Sequence, residues 1–318
     1  MLRHPADRRS ISYLLFMLFL AALQWNVTGF RPAIYALYLF MAVTVAVISH
    51  NHNHLSIWKV RGLNLLTSYV ISIHYGHPAI AWVPTHNQNH HRYNNRPGDS
   101  GRSPILFKRN HLLALLVYPT VTAINQQADI QRFFRELWHK DRRSFWLAAS
   151  EYLVFFGFMA LVLLLDWRKA LLFYVLPQQF ALFVIQVFNY VQHVEADETS
   201  AWQHSRNFVS PVLNRLLFNN GYHTVHHLKP GVHWSELPKL HAEHARKIHP
   251  WLLQRSWWRF MFWTFILRPF VPGAKGRQSE SGGSRLRYAE LGCAERRTLG
   301  FRRPPGIIIK KRVLPTLR

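Results

Sequence analysis

FRPAIYALYLFMAVTVAVISHNHNH, residues 30–54, decides the fold. Its first twenty residues, Phe30–Ser49, are almost wholly apolar, close to the roughly 20 needed to cross a bilayer. Three histidines alternate immediately after it, at His50, His52 and His54. On a helix, residues four apart share a face, so His50 and His54 converge and His52 points elsewhere. An apolar span that ends in two convergent imidazoles reads as a membrane helix with candidate metal ligands at one end.

Outward from this span the pattern repeats. Ile11–Val27 precedes it as another apolar run, after a head carrying Arg3, Arg8 and Arg9, and only a tight hairpin fits between the two. Basic head and apolar run also suit a signal peptide, but no small-residue cleavage site follows. Residues 145–165 and 170–191 form a second pair, joined by Asp166-Trp167-Arg168-Lys169. Glu151, Gln178, Gln179 and Gln186 interrupt these runs, and polar groups at that depth face the protein interior or a cavity. Leu63–Val83, Leu112–Ile124 and Trp251–Phe270 are shorter and carry Pro, His, Trp or Arg, so they read as interfacial or re-entrant elements.

The predicted fold class is an all-α integral membrane protein. It has four transmembrane helices in two hairpins (11–27, 30–49, 145–165 and 170–191) and a cytoplasmic helical cap carrying the histidines. Residues 1–271 form that domain. From 272 to 318 Gly, Ser and Arg dominate, which predicts a basic disordered tail.

Charge fits this topology. Lys and Arg number 39 against 15 Asp and Glu, a formal net charge of +24. All but Arg31, Arg168 and Lys169 lie in the predicted cytoplasmic segments, so the positive-inside rule is met with both termini cytoplasmic. The same charge explains itself without nucleic acid, for which no binding module is visible. The single cysteine, Cys293, excludes intrachain disulfides and Cys-ligated clusters.

Twenty histidines remain to be explained. His50/His54, His86/His90/His91 and His223/His226/His227 have the spacings HxxxH, HxxxHH and HxxHH. Asn189 and His193, again four apart, end the fourth predicted crossing. Hydropathy alone puts all of them on one side of the membrane, near one depth. Eight clustered histidines plus His193 exceed the needs of one metal, so two metals are implied. Imidazole suits iron, zinc, copper and nickel alike. A zinc hydrolase would want a catalytic carboxylate such as the Glu of HExxH, and no cluster contains one. A metal transporter would want its ligands inside the crossings. His52, His74 and His77 read as structural, and His233, His241, His244 and His249 as a solvated cytoplasmic face. Glu195 and Asp197, just after His193, are candidates to hydrogen-bond ligand imidazoles.

HxxxH, HxxxHH and HxxHH over two helical hairpins resemble the membrane fatty-acid desaturase and hydroxylase superfamily, across about residues 30–245. NNGYHTVHHLKPGVHWSELP is similar to the last histidine box of its bacterial members, and Asn189/His193 resembles the Asn-and-His element of stearoyl-CoA desaturase. The resemblance implies two non-haem irons held by His50, His54, His86, His90, His91, His193, His223, His226 and His227, with Asn189 acting through a metal-bound water. It implies O2 as co-substrate and a double bond introduced into a fatty-acyl chain of a lipid or thioester. The spacings also resemble bacterial alkane hydroxylases, so hydroxylation of a fatty acid, alkane or carotenoid is the alternative. No haem-binding HPGG segment is visible, so an external electron donor, a ferredoxin or a cytochrome, is expected. The expected location is a bacterial inner membrane.

Overall fold

The structure, a computed structural model, describes residues 1–103, 106–107 and 110–271. The expected tail, 272–318, lies outside the described residues.

Two antiparallel helices open the chain: α1, Asp7–Asn26, and α2, Pro32–His54. Pro32 occupies the first turn of α2, where its fixed φ suits the helix and its missing N–H costs nothing. α3, Arg61–Tyr75, ends at Gly76, whose φ of +89° closes the helix. A Cβ at Gly76 would run into the Gln178 side chain, so glycine is required twice over. The chain then passes through a single 3₁₀ turn (Ala79–Ala81) and a wide-turned helical segment, Val83–His90, into the one-turn α4, His91–Tyr93.

α5, Leu112–Lys140, is much longer than its apolar start. The interfacial segment expected to end at Ile124 continues as an amphipathic helix through Asp129, Phe133 and Leu137, with Pro119 inside it. α6, Arg142–Ala170, is capped by Asp141, which accepts from the Ser144 backbone N–H at 3.0 Å. The hairpin expected at 166–169 is present. Asp166 leaves helical geometry (φ −159°, ψ 95°), and its carboxylate accepts from the N–H groups of Arg168 and Lys169. A wide turn, Leu171–Val175, leads into α7, Leu176–His193. Gln178 Nε2 lies 3.3 Å from Met159 Sδ, whereas an unbroken helix would separate them by about 28 Å.

Among the described residues, two helical stretches are long and apolar enough to cross a membrane: Pro32–His54 and the continuous Arg142–His193, which contains both runs of the second predicted pair. α1 forms as expected but does not reach that threshold.

α2 lies at the centre, packed against α1, α3 and α7. The two hairpin tips touch: Lys169 Nζ donates to the Trp25 carbonyl at 2.7 Å, and the Tyr35 hydroxyl donates to the Leu172 carbonyl at 2.9 Å. The opposite ends of α2 and α7 therefore also lie side by side, and those ends carry His50, His54 and His193. Two of the polar residues within the apolar runs are buried as expected. Gln178 Nε2 donates to the Ile73 carbonyl, and Glu151 accepts from the Ile80 N–H, both at 2.7 Å. Glu151 thus pins the turn that leads into His86.

The remaining described elements cover the histidine end: α8 (Pro211–Leu216), α9 (His223–Leu228), α10 (Leu237–His244) and α11 (Trp257–Met261). A two-residue parallel pair, β1 (Asn207–Phe208) with β2 (Leu253–Gln254), ties them together. His233 is not on a solvated face. It is buried, stacked on His4 at 3.9 Å, with Nε2 3.2 Å from the buried carboxylate of Asp7. His241 is buried as well.

Candidate metal centre

The last turns of α2 and α7, the Val83–His90 segment with α4, and α9 bring nine imidazoles together. They sort into two nests. His50, His54, His86, His91 and His226 form one; His90, His193, His223 and His227 form the other. Within each nest one nitrogen per ring lies within 4.8 Å of all the others.

In the first nest four Nε2 atoms form a closed ring. His50–His86 is 2.9 Å, His86–His91 3.0 Å, His91–His226 3.1 Å and His226–His50 3.1 Å. The His54 ring stands edge-on to those of His50 and His91 at 4.7 and 4.6 Å. In the second nest, His90–His193 is 3.1 Å, His193–His223 2.9 Å and His223–His227 3.0 Å.

Mutual hydrogen bonding does not explain such a ring, because a neutral imidazole nitrogen is either a donor or an acceptor and every member here has two neighbours. A shared cation does. Two nitrogens bound at about 2.1 Å to one metal stand about 3.0 Å apart at 90° and about 3.4 Å apart at the tetrahedral angle. The observed 2.9–3.1 Å lies at the spacing expected of nitrogens that share one cation. The residues present therefore fit two such ions.

The outer nitrogens are held from behind. His90 Nδ1 donates to Asp99 Oδ2 at 2.7 Å, and His193 Nδ1 to the His204 carbonyl at 3.2 Å. Each bond fixes the tautomer and leaves Nε2 free as a ligand. Asp99 is itself held by the N–H groups of Asn95 (2.7 Å) and Gly101 (2.8 Å). Burial alone would raise its carboxyl, but the interaction with His90 and the two N–H bonds outweigh this and hold it below the usual range. Burial, and after it the neighbouring imidazoles, pushes His86, His91, His223, His226 and His227 well below the ordinary histidine value. They stay neutral, the form that binds metal. Arg206, wholly buried, donates Nη1 to the Val191 and Val194 carbonyls and so closes the end of α7 around His193.

Asn189 donates Nδ2 to the Tyr118 hydroxyl at 2.7 Å, and that hydroxyl donates in turn to the Gly101 carbonyl. His52 is buried but faces away from the nests, accepting from the Ile57 N–H. His74 is buried beside Tyr174. The carboxylates expected behind the ligands are elsewhere: Glu195 pairs with Arg268 at 2.7 Å, and Asp197 accepts from Thr199. Asp99 was missed. Its signal was a carboxylate in the turn Pro97-Gly98-Asp99-Ser100, directly after the second histidine cluster.

A cavity of about 600 Å3 opens onto both nests at His50, His86, His90 and His223, with Asn189 and Trp82 in its wall.

A bundle of helices that gathers nine imidazoles into two nests beside a cavity has the makings of a site for two metal ions. Residues 23–261 match the family model described as fatty acid desaturase, three-quarters of the chain. The chain belongs to the fatty acid desaturase family, and with it to the oxidoreductases. No curated protein and no solved structure matches it.

Proposed function

We propose that this chain is a membrane-embedded di-iron desaturase that converts a –CH2–CH2– unit of a fatty-acyl chain to –CH=CH–. The balanced reaction consumes O2, two electrons and two protons and yields two waters. The observation that carries this reading is the pair of nitrogen nests at the end of a cavity, in a chain of the desaturase family. His50, His54, His86, His91 and His226 would hold one iron, and His90, His193, His223 and His227 the other. When bound, the irons supply the O2 activation that a saturated hydrocarbon requires.

The chain's own part is binding, orientation and exclusion of water. Asp99 and the His204 carbonyl hold His90 and His193 in register. Trp82, with ring contacts of 5.2 and 5.0 Å to His50 and His86, forms the cavity wall beside the first nest. Asn189, its amide nitrogen engaged by Tyr118, would turn its oxygen to orient a water at the mouth of the nests. The electrons would come from an external ferredoxin- or cytochrome-type donor. The basic segments that flank the nests would face the cytoplasm, with both termini on that side. Hydroxylation of the same carbon is the alternative outcome, since the same residues serve both.

Two measurements test this. Elemental analysis of protein from iron-replete cells should give about two irons per chain, by the two nests and their geometry. Lipid mass spectrometry of cells with and without the chain should show a product two mass units lighter than its precursor, the mass of two hydrogens. Zinc alone in the purified protein would remove the oxidase reading, and a product heavier by one oxygen would make it a hydroxylase.

A further inference from the structure

α5 and α7 touch where Tyr118 meets Tyr190, their rings 5.0 Å apart. From there they part: α7 runs back towards the hairpin tip, while Phe133 and Leu137 of α5 pack against Ile80, Val83 and Ala148. The cavity fills the gap. Its rim carries exposed apolar side chains from both helices, Ile124 (65 % exposed) and Phe183 (37 %). A rim of this kind, facing sideways between two helices, suits hydrocarbon rather than water.

The lining behind the rim is not purely apolar. Gln126 of α5 and Gln179 and Gln186 of α7 face the cavity. None of the three forms a side-chain hydrogen bond among the described residues, whereas neighbouring Gln178 and Gln192 bond to backbone carbonyls. Gln179 and Gln186 are seven residues apart, on one face of α7. Gln126 and Gln186 are half-buried and Gln179 is exposed, so in a bilayer their amides would meet hydrocarbon, where an amide without a partner costs free energy unless a ligand supplies one. Each glutamine offers both a donor and an acceptor. Along α7, Gln186 lies about 4.5 Å and Gln179 about 15 Å beyond Asn189, towards the hairpin tip.

We infer that the substrate is a bilayer-resident lipid admitted sideways between α5 and α7, with a neutral hydrogen-bonding group, an ester, amide or hydroxyl, held by Gln179 and Gln186. The carbon that reacts lies at the nests, so a plain hydrocarbon stretch up to about 15 Å long separates it from that group. A water-soluble thioester, whose charged carrier needs the basic end of the molecule, is the competing substrate. The assignment rests on the cavity being the substrate chamber of the proposed oxidase.

The test is photo-crosslinking of the full-length protein in lipid vesicles, which needs no turnover. One probe is an octadecanamide with a diazirine near its chain end, mixed into the bilayer. The other is an octadecanoyl-coenzyme A with the same diazirine, added to the water. The amide should label α5 or α7 at the cavity. Its labelling should fall about tenfold in the Gln179→Leu/Gln186→Leu double variant, the effect of losing roughly one desolvated hydrogen bond. Ile124→Trp, which narrows the rim without touching the glutamines, should lower it as well, and thermal melts confirm that the variants fold. Labelling by the coenzyme A probe alone, or amide labelling indifferent to both variants, overturns the inference. Groove labelling in protein that makes no oxidised lipid would remove the oxidase reading, and the groove would then be a lipid-binding site rather than a substrate chamber.

Discussion

Asp99 Oδ2 sits 2.7 Å from His90 Nδ1, both side chains buried, at the rear of the second nest. A carboxylate in that position fixes the tautomer of the imidazole and stops its rotation. Asp99→Ala should lower metal affinity by about 10–100-fold, the usual cost of losing such a partner. Asp99→Asn keeps an acceptor and should fall between. Metal titration of stripped protein reads both. Unchanged affinity in Asp99→Ala would mean that packing alone orients His90.

His193 lies outside the three histidine clusters, yet its Nε2 stands between those of His90 and His223. His193→Ala should lose metal and product as fully as His226→Ala. His52→Ala and His74→Ala, which touch neither nest, should keep most of both. Metal content and product are to be measured for all four variants in the same membranes. Wild-type turnover in His193→Ala would end the nine-ligand arrangement.

Acid should unfold the metal-free protein early. His86, His91, His223, His226 and His227 are neutral in the folded state because burial holds them below the ordinary value of 6.5. In the unfolded chain they protonate near 6.5, so below that pH the unfolded state binds more protons and gains stability. Above it they contribute no pH dependence. Melting temperatures of stripped protein should be flat from pH 8 to about 7 and fall steadily below about 6.5, through the window set by the unfolded histidine. A melt that stays flat to pH 5 would mean that the imidazoles are solvated.

The proposed membrane orientation makes a labelling prediction. With Cys293 replaced by serine, a cysteine at exposed Trp167 should react with an impermeant maleimide from outside intact cells. One at Arg246, on the histidine side, should react only after permeabilisation. The reverse pattern would put the nests on the outer face.

Much of this site was legible because a helix has a fixed period. A spacing of four put His50 with His54 and His223 with His227, and each pair falls within one nest. Asp99 was not legible, since a turn carboxylate looks the same whether it faces water or an imidazole. Nor was the burial of His233, which depends on Asp7 of α1, 226 residues away in sequence. The length of α5 was hidden because its second half is amphipathic, and a search for apolar runs stops at Ile124. Least legible was the division into five and four, which no single cluster reveals.

That division has a further consequence. His90 and His91 are neighbours in sequence but point into different nests, and so do His226 and His227. Successive helical residues project about 100° apart, so one rigid turn would grip both of the proposed ions at once. Seating the first ion therefore fixes the backbone that presents ligands to the second, and loading becomes cooperative. On titrating stripped protein with ferrous iron, native mass spectrometry should show empty and doubly occupied chains, with the singly occupied form scarce throughout.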